Sequence, residues 1–176
     1  MKKQFALMLA LASTVAFTSC DDDDDDNGGS QISTTKFAGS STITVMNVSV
    51  PIENDTLVLA PMTGVDTELY KLTLGARSGN VSMGQASMPF GVDAFTIDSL
   101  VATVTDANNY SLTRAKSFAL TGVGVVYGTV SAPMAVSGTV SKATVTEGVL
   151  NVELTDMKLG AMPFAMTLSY EGQSVK

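Results

Sequence analysis

Few residues in this chain could make or break a bond. None of its 176 residues is histidine, which removes imidazole acid/base work, histidine triads and histidine metal sites. The one cysteine, Cys20, closes an apolar segment near the N-terminus. Carboxylates remain. Glycoside hydrolysis needs two at a set separation, and the candidates are Glu53, Asp55, Asp66, Glu68, Asp93, Asp98, Glu153 and Asp156. Their spacing singles out no pair, and most are expected at turns or on outward strand positions. Ser33-Thr34-Thr35-Lys36 has the Ser-x-x-Lys spacing of a serine nucleophile with a lysine base. That string should open a helix, whereas here it lies between a polar linker and a strand, so we read it as chance. There is no glycine-rich phosphate loop. The run Asp21, Asp22, Asp23, Asp24, Asp25, Asp26 lacks the ligand spacing and sharp glycine turn of a calcium loop. The expectation is a protein with no catalytic residues, no metal and no cofactor.

Binding is the other chemistry to weigh. Eight of the ten methionines follow residue 45. Met83, Met134, Met157 and Met166, with Phe164, Leu168 and Tyr170, could line an adaptable apolar pocket, although such residues more often form plain core. With no tryptophan, four tyrosines and seven phenylalanines, the chain is thin for a carbohydrate platform built on aromatic stacking. Lys2 and Lys3 against six aspartates leave the first 26 residues at −4, so residues 27–176 carry −3 of the total −7. That mild acidity argues against nucleic acid and offers no basic face to anionic lipid.

The elements that must position these residues begin with the N-terminus. Lys2 and Lys3 precede an apolar core, Phe5 to Phe17, too short for the roughly 20 residues a spanning helix needs. Ser19 is the small residue before Cys20. This pattern resembles a bacterial lipoprotein signal, in which residues 1–19 are removed and Cys20 is acylated. Phe17 stands where such signals usually carry leucine. A lone cysteine excludes an intramolecular disulfide, and several acyl chains would anchor the protein stably where one is marginal. The aspartate run that follows is a solvated, self-repelling spacer. It also resembles the acidic signal that sends some Gram-negative lipoproteins to the outer face of the outer membrane. The opposing rule of enteric bacteria, where aspartate after the cysteine retains the protein at the inner membrane, leaves a periplasm-facing alternative. Residues 20–34 thus read as lipidated cysteine and tether, and 35–176 as one domain.

The domain reads as all-β. Leu150, Val152 and Leu154 alternate with Asn151, Glu153 and Thr155. Phe164, Met166, Leu168 and Tyr170 alternate with Ala165, Thr167 and Ser169. Tyr70, Leu72 and Leu74 do the same. In Thr42 to Val50 the phase slips at Met46-Asn47, which reads as a β-bulge. Pro51 to Asp55 reads as a turn, Gly75 to Gly79 as another and Asp106 to Asn109 as a third. We find no amphipathic helix after residue 20. About nine or ten short strands at regular spacing predict an antiparallel up-and-down barrel, with a β-sandwich as the alternative. Met88-Pro89-Phe90 and Met162-Pro163-Phe164 each precede a strand, and proline there belongs at a strand start or edge.

Taken together, Phe37-Ala38-Gly39 before the Thr42 strand, Ile52-Glu53-Asn54-Asp55-Thr56, and the Gly148 to Gly172 hairpin with Leu159-Gly160-Ala161-Met162-Pro163 resemble the calycin-like β-barrel lipoproteins of Gram-negative bacteria. The resemblance covers about residues 35–172 and implies a lipocalin-like barrel, a fold that often encloses a small apolar ligand. There is no Gly-x-Trp near the first strand. Asp55-Thr56-Leu57 and Asp98-Ser99-Leu100 also resemble the Asp-Ser/Thr-aliphatic acceptor of periplasmic O-glycosylation. Thr56, at an expected turn, is the better site; Ser99 is unusable if its strand is buried. The functional expectation is a non-enzymatic, lipid-anchored outer-membrane protein. It would bind a small apolar molecule, or serve as a structural or protein-interaction module at the cell surface.

Overall fold

A computed structural model describes residues 32–64, 68–162 and 164–175, with the Met83 side chain excepted. The expected signal, Cys20 and the aspartate run lie outside the described residues, as do Asp66 and Pro163.

Eleven strands follow one another: β1 (Thr35–Val45), β2 (Val48–Pro61), β3 (Leu69–Leu74), β4 (Arg77–Met83), β5 (Ala86–Val92), β6 (Phe95–Asp106), β7 (Asn109–Thr113), β8 (Phe118–Tyr127), β9 (Val130–Thr146), β10 (Val149–Leu159) and β11 (Met166–Val175). All described pairings are antiparallel. β10 pairs with both β9 and β11, and β1 with both β11 and β2, so the sheet closes on itself as an eight-stranded up-and-down barrel. A sandwich is excluded.

Eleven strands make eight legs because three legs are spliced. β3 pairs with the lower part of β2, and the chain then continues upward past Gly75-Ala76 as β4. β5 descends and continues past Asp93-Ala94 as β6. β7 rises and continues past Arg114 to Ser117 as β8. The long β9 accepts β8 along its first half and β7 near its end.

Alternation explains most of the interior. Leu57, Leu59, Tyr70, Leu72, Leu74, Leu150, Val152, Leu154, Leu168 and Tyr170 are all buried, and their strand neighbours face out. Bulges reset the phase where alternation alone would fail, among them one at Ser141 in β9 and four of a common kind. Each of these four holds one residue with positive φ, at Asn54, Ser99, Gly122 and Asp156, beside a register shift. An extra residue re-aims everything after it. In β10 the buried set therefore passes from Leu154 to Met157 and Leu159. In β6 it passes from Ile97 to Leu100, leaving Val101 half exposed. In β2 it passes from Val50 to Asp55, Leu57 and Leu59.

Three expectations are corrected. Met46-Asn47 is a two-residue turn, not a bulge: both residues have positive φ (50° and 66°), the geometry of a tight hairpin whose twist suits its strands. Pro51 to Asp55 is strand, not turn. Its proline pairs with Thr42 and its asparagine forms a bulge within β2. Gly75 to Gly79 does not reverse the chain but carries it from β3 into β4.

Candidate functional site

The bulge at Asn54 turns Asp55 into the barrel at mid-height. Its carboxylate receives a hydrogen bond from Arg77 Nε at 2.8 Å. Arg77 Nη2 lies 2.7 Å from the same oxygen, an ion-pair contact outside hydrogen-bond geometry. Arg77 Nη1 donates to the Gly75 carbonyl at 2.7 Å, and Nε approaches Ser41 Oγ at 3.4 Å. The two side chains are only 1% and 2% exposed, so water screens little of their attraction. Burial lowers the Arg77 pKa, and the adjacent Asp55 charge opposes that shift.

Tyr170 joins this cluster from β11. Its hydroxyl folds back over Gly172, where any side chain would strike it, and it has no hydrogen-bond partner among the described residues. Burial first, and the Asp55 carboxylate second, push its pKa up to about 12. Such a cluster orders the middle of the barrel. Removing one charge would strand the other, a cost that exceeds the net worth of the pair.

The expected pocket residues are split by height. Met157 pairs directly with Met166, and Leu168 follows inside the same wall. Met134 and Phe164 stand half-buried at the end of the barrel reached by the β1–β2, β8–β9 and β10–β11 connections. There the Tyr127 and Phe164 rings meet at 5.6 Å and tilt by 48°. The Met134 thioether lies beside Gly160, and Met162 packs on the core. Met83 belongs to β4 near this end, its side chain outside the described residues. Tyr170 is lower, in the charged cluster.

Around this end several apolar side chains are left in solvent: Met46 at 45% exposure, Val126 at 36% and Val130 at 50%. The opposite end, where β1 begins, is tied by polar turns. Asp106 accepts from the Asn108 backbone at 2.8 Å and from the Asn109 amide. Asn109 in turn accepts from Glu147 N at 3.0 Å. These bonds, the Asn108 one foremost, hold Asp106 below the usual carboxylate range. Ile32 N donates to the Tyr70 hydroxyl at 3.2 Å, sealing that end beside the chain's entrance.

The other candidates are scattered. Asp98 meets Arg114 at 3.3 Å on the surface. Glu153 lies with Lys142 and Glu171 in a shallow dish of about 250 Å³ on the outer wall. Glu53 borders a second dish, of about 550 Å³, beside Asn54 and Glu171. Asp93 edges a third. Glu68 and Asp156 are exposed. Among the described residues no group of three or more acidic or cysteine side chains could hold a metal ion. Ser33 to Lys36 runs into β1, with no helix. Thr56 is half-buried within β2, its amide bonded to Asp55 Oδ1 at 2.7 Å, and so is not at a turn. Ser99, by contrast, is exposed on its bulge.

Sequence reasoning missed the Asp55–Arg77 pair because the partners lie 22 residues apart. The lone arginine in a stretch otherwise free of charge, Leu72 to Val92, was the available signal. Comparison of the chain with protein-family models, curated proteins and solved structures returned no match.

Proposed function

We propose that this is an exported outer-membrane lipoprotein, acylated on Cys20, whose calycin-like barrel is non-catalytic and presents one end to a partner at the cell surface. The observation that carries the reading is the contrast between the two ends. The end where β1 begins, next to the tether, is closed by hydrogen-bonded polar turns. Of the five large apolar side chains exposed among the described residues, Met46, Val126 and Val130 lie at the far end, against Val101 and Val175 in the lower half, and Tyr127, Met134, Met162 and Phe164 stand half-buried at the far end as well. Exposed apolar side chains around one rim suit an interaction surface, and methionine adapts to a partner's shape. Meanwhile one continuous apolar core occupies the barrel from Phe37 to Tyr170.

Photo-crosslinking in cells tests it. A crosslinker at position 130 is expected to trap a discrete adduct, and one at position 108 is not. Equal labelling at both ends overturns the reading. Palmitate labelling lost in Cys20→Ala, with release of the protein from the membrane fraction, checks the anchor.

A second reading, a small apolar ligand, draws on the half-buried side chains of Tyr127, Phe164 and Met134 at this end. Native mass spectrometry of protein purified gently from its own host decides it. A one-to-one apolar adduct favours the ligand; a clean apo mass removes it.

A further inference from the structure

The legs are joined by hydrogen-bonded ladders, with one exception among the described residues. β4 is a terminal strand in the hydrogen-bonded order. It packs beside the upper part of β2, yet the two share no ladder. The last backbone bond at this seam is Gly75 N to the Thr56 carbonyl, at 3.2 Å. Above it, side chains alone close the wall. Gly79 lies so near Val50 that an added Cβ would fall 2.5 Å from its Cγ1, and Arg77 reaches across to Asp55 and Ser41. Pro51, which has no N–H to donate, sits in this part of β2, as suits a strand edge.

The other margin of the same hairpin is attached differently. β5 pairs with β8 through Phe90 to Val92, and Gly128 N to the Pro89 carbonyl and Asp93 N to the Gly124 carbonyl, both 2.8 Å, extend that line. Two short joints bracket the hairpin, Gly75-Ala76 below β4 and Asp93-Ala94 below β5.

We propose that the β4–β5 hairpin, Arg77 to Val92, is a door in the barrel wall. It hinges along the β5–β8 ladder and is latched to β2 by the Arg77–Asp55 ion pair. Swinging it out breaks no ladder on the β2 side, so it opens at less cost than unfolding the barrel. It uncovers Val50, Val81 and Phe90 and frees the backbone edge of β2. Any molecule that contacts the open form better than the closed one will hold it open. This goes beyond the proposed docking end, which needs no moving part.

Cysteine trapping in the full chain tests the door. Val81 on the door and Leu154 in the opposite wall are both fully buried, so a thiol at either reacts only when the structure opens. The parent protein, whose one cysteine is Cys20, gives the background. Val81→Cys is expected to react with a maleimide at least ten-fold faster than Leu154→Cys, at a rate independent of low denaturant. Adding Arg77→Lys, which keeps the charge but loses the fork, should speed the Val81→Cys reaction about ten-fold further and keep it independent of low denaturant, whereas Leu154→Cys still reacts only at a rate that rises with denaturant. Equal rates for the two sites, both rising with denaturant, overturn the door. A fast Val81→Cys reaction indifferent to Arg77→Lys overturns the latch.

Discussion

The barrel wall has two unlike halves. In one, β9, β10, β11, β1 and β2 run its length, and each pairs with its neighbour over most of that length. In the other, three legs are spliced at mid-height, and two of the ladders are short: Phe90 to Val92 against β8, and Tyr110 and Ser111 against β9. The continuous half carries its own alternation and needs only bulges to keep phase. The spliced half must use joints, glycines and a buried ion pair to stay in place. Stability should therefore be uneven around the wall, with global unfolding governed by one half and local opening by the other.

The largest expected effect comes at the junction of the halves. Arg77→Met should cost about 3–5 kcal/mol in urea unfolding, because it leaves Asp55 charged and buried. Asp55→Leu with Arg77→Met should recover most of that loss. A double variant as unstable as the single one would show that the pair holds more than charge.

Next come cavities cut in each half. Leu154→Ala should cost about 2–5 kcal/mol, seen as a lower urea midpoint. Val81→Ala, which removes two methyl groups, should cost about 1.5 kcal/mol. If the Val81 variant proved the more damaging, the division of labour would be reversed.

Alkaline pH probes both halves at once, through Tyr170 in β11 and Tyr110 in β7. Burial foremost raises each pKa to about 12. The folded state then holds protons that the unfolded chain releases near pH 10. Stability should be flat below about pH 9 and fall between pH 10 and 12, by up to about 1.4 kcal/mol per pH unit for each tyrosine. Tyr110→Phe and Tyr170→Phe should each remove one share of that slope, followed by urea midpoints across the alkaline range.

The smallest effect is a gain. Met46 and Asn47 hold a left-handed turn that favours Asn-Gly. Met46→Asn with Asn47→Gly should raise stability by about 0.5–1 kcal/mol. In the same variant the crosslinked adduct at position 130 should weaken if Met46 is part of the docking end.

Legibility followed the same division. Leu150 to Leu154 and Met166 to Tyr170 alternate so cleanly that their inward faces could be read directly, as could Tyr70 to Leu74. The four positive-φ bulges could not, since only Gly122 among their residues is a type that favours positive φ without cost. Pro51, Asn54 and Asp55 are turn-forming types, yet β1 pairs along that whole stretch and overrides them. The residues named for a pocket were legible as apolar types, but not their division between the core and the barrel end, which depends on height along the barrel. The charged cluster was invisible because nothing local announces which carboxylate a bulge will turn inward.

β9 spans 17 residues. At about 3.3 Å per residue, and with a barrel tilt of about 35–45°, it sets its two turns about 40 Å apart along the axis. A molecule tethered beside one turn and gripping at the other is a standoff. On the proposed reading, bilayer and partner would not compete for the same surface, so losing the lipid would change where the protein stands without changing what it can hold.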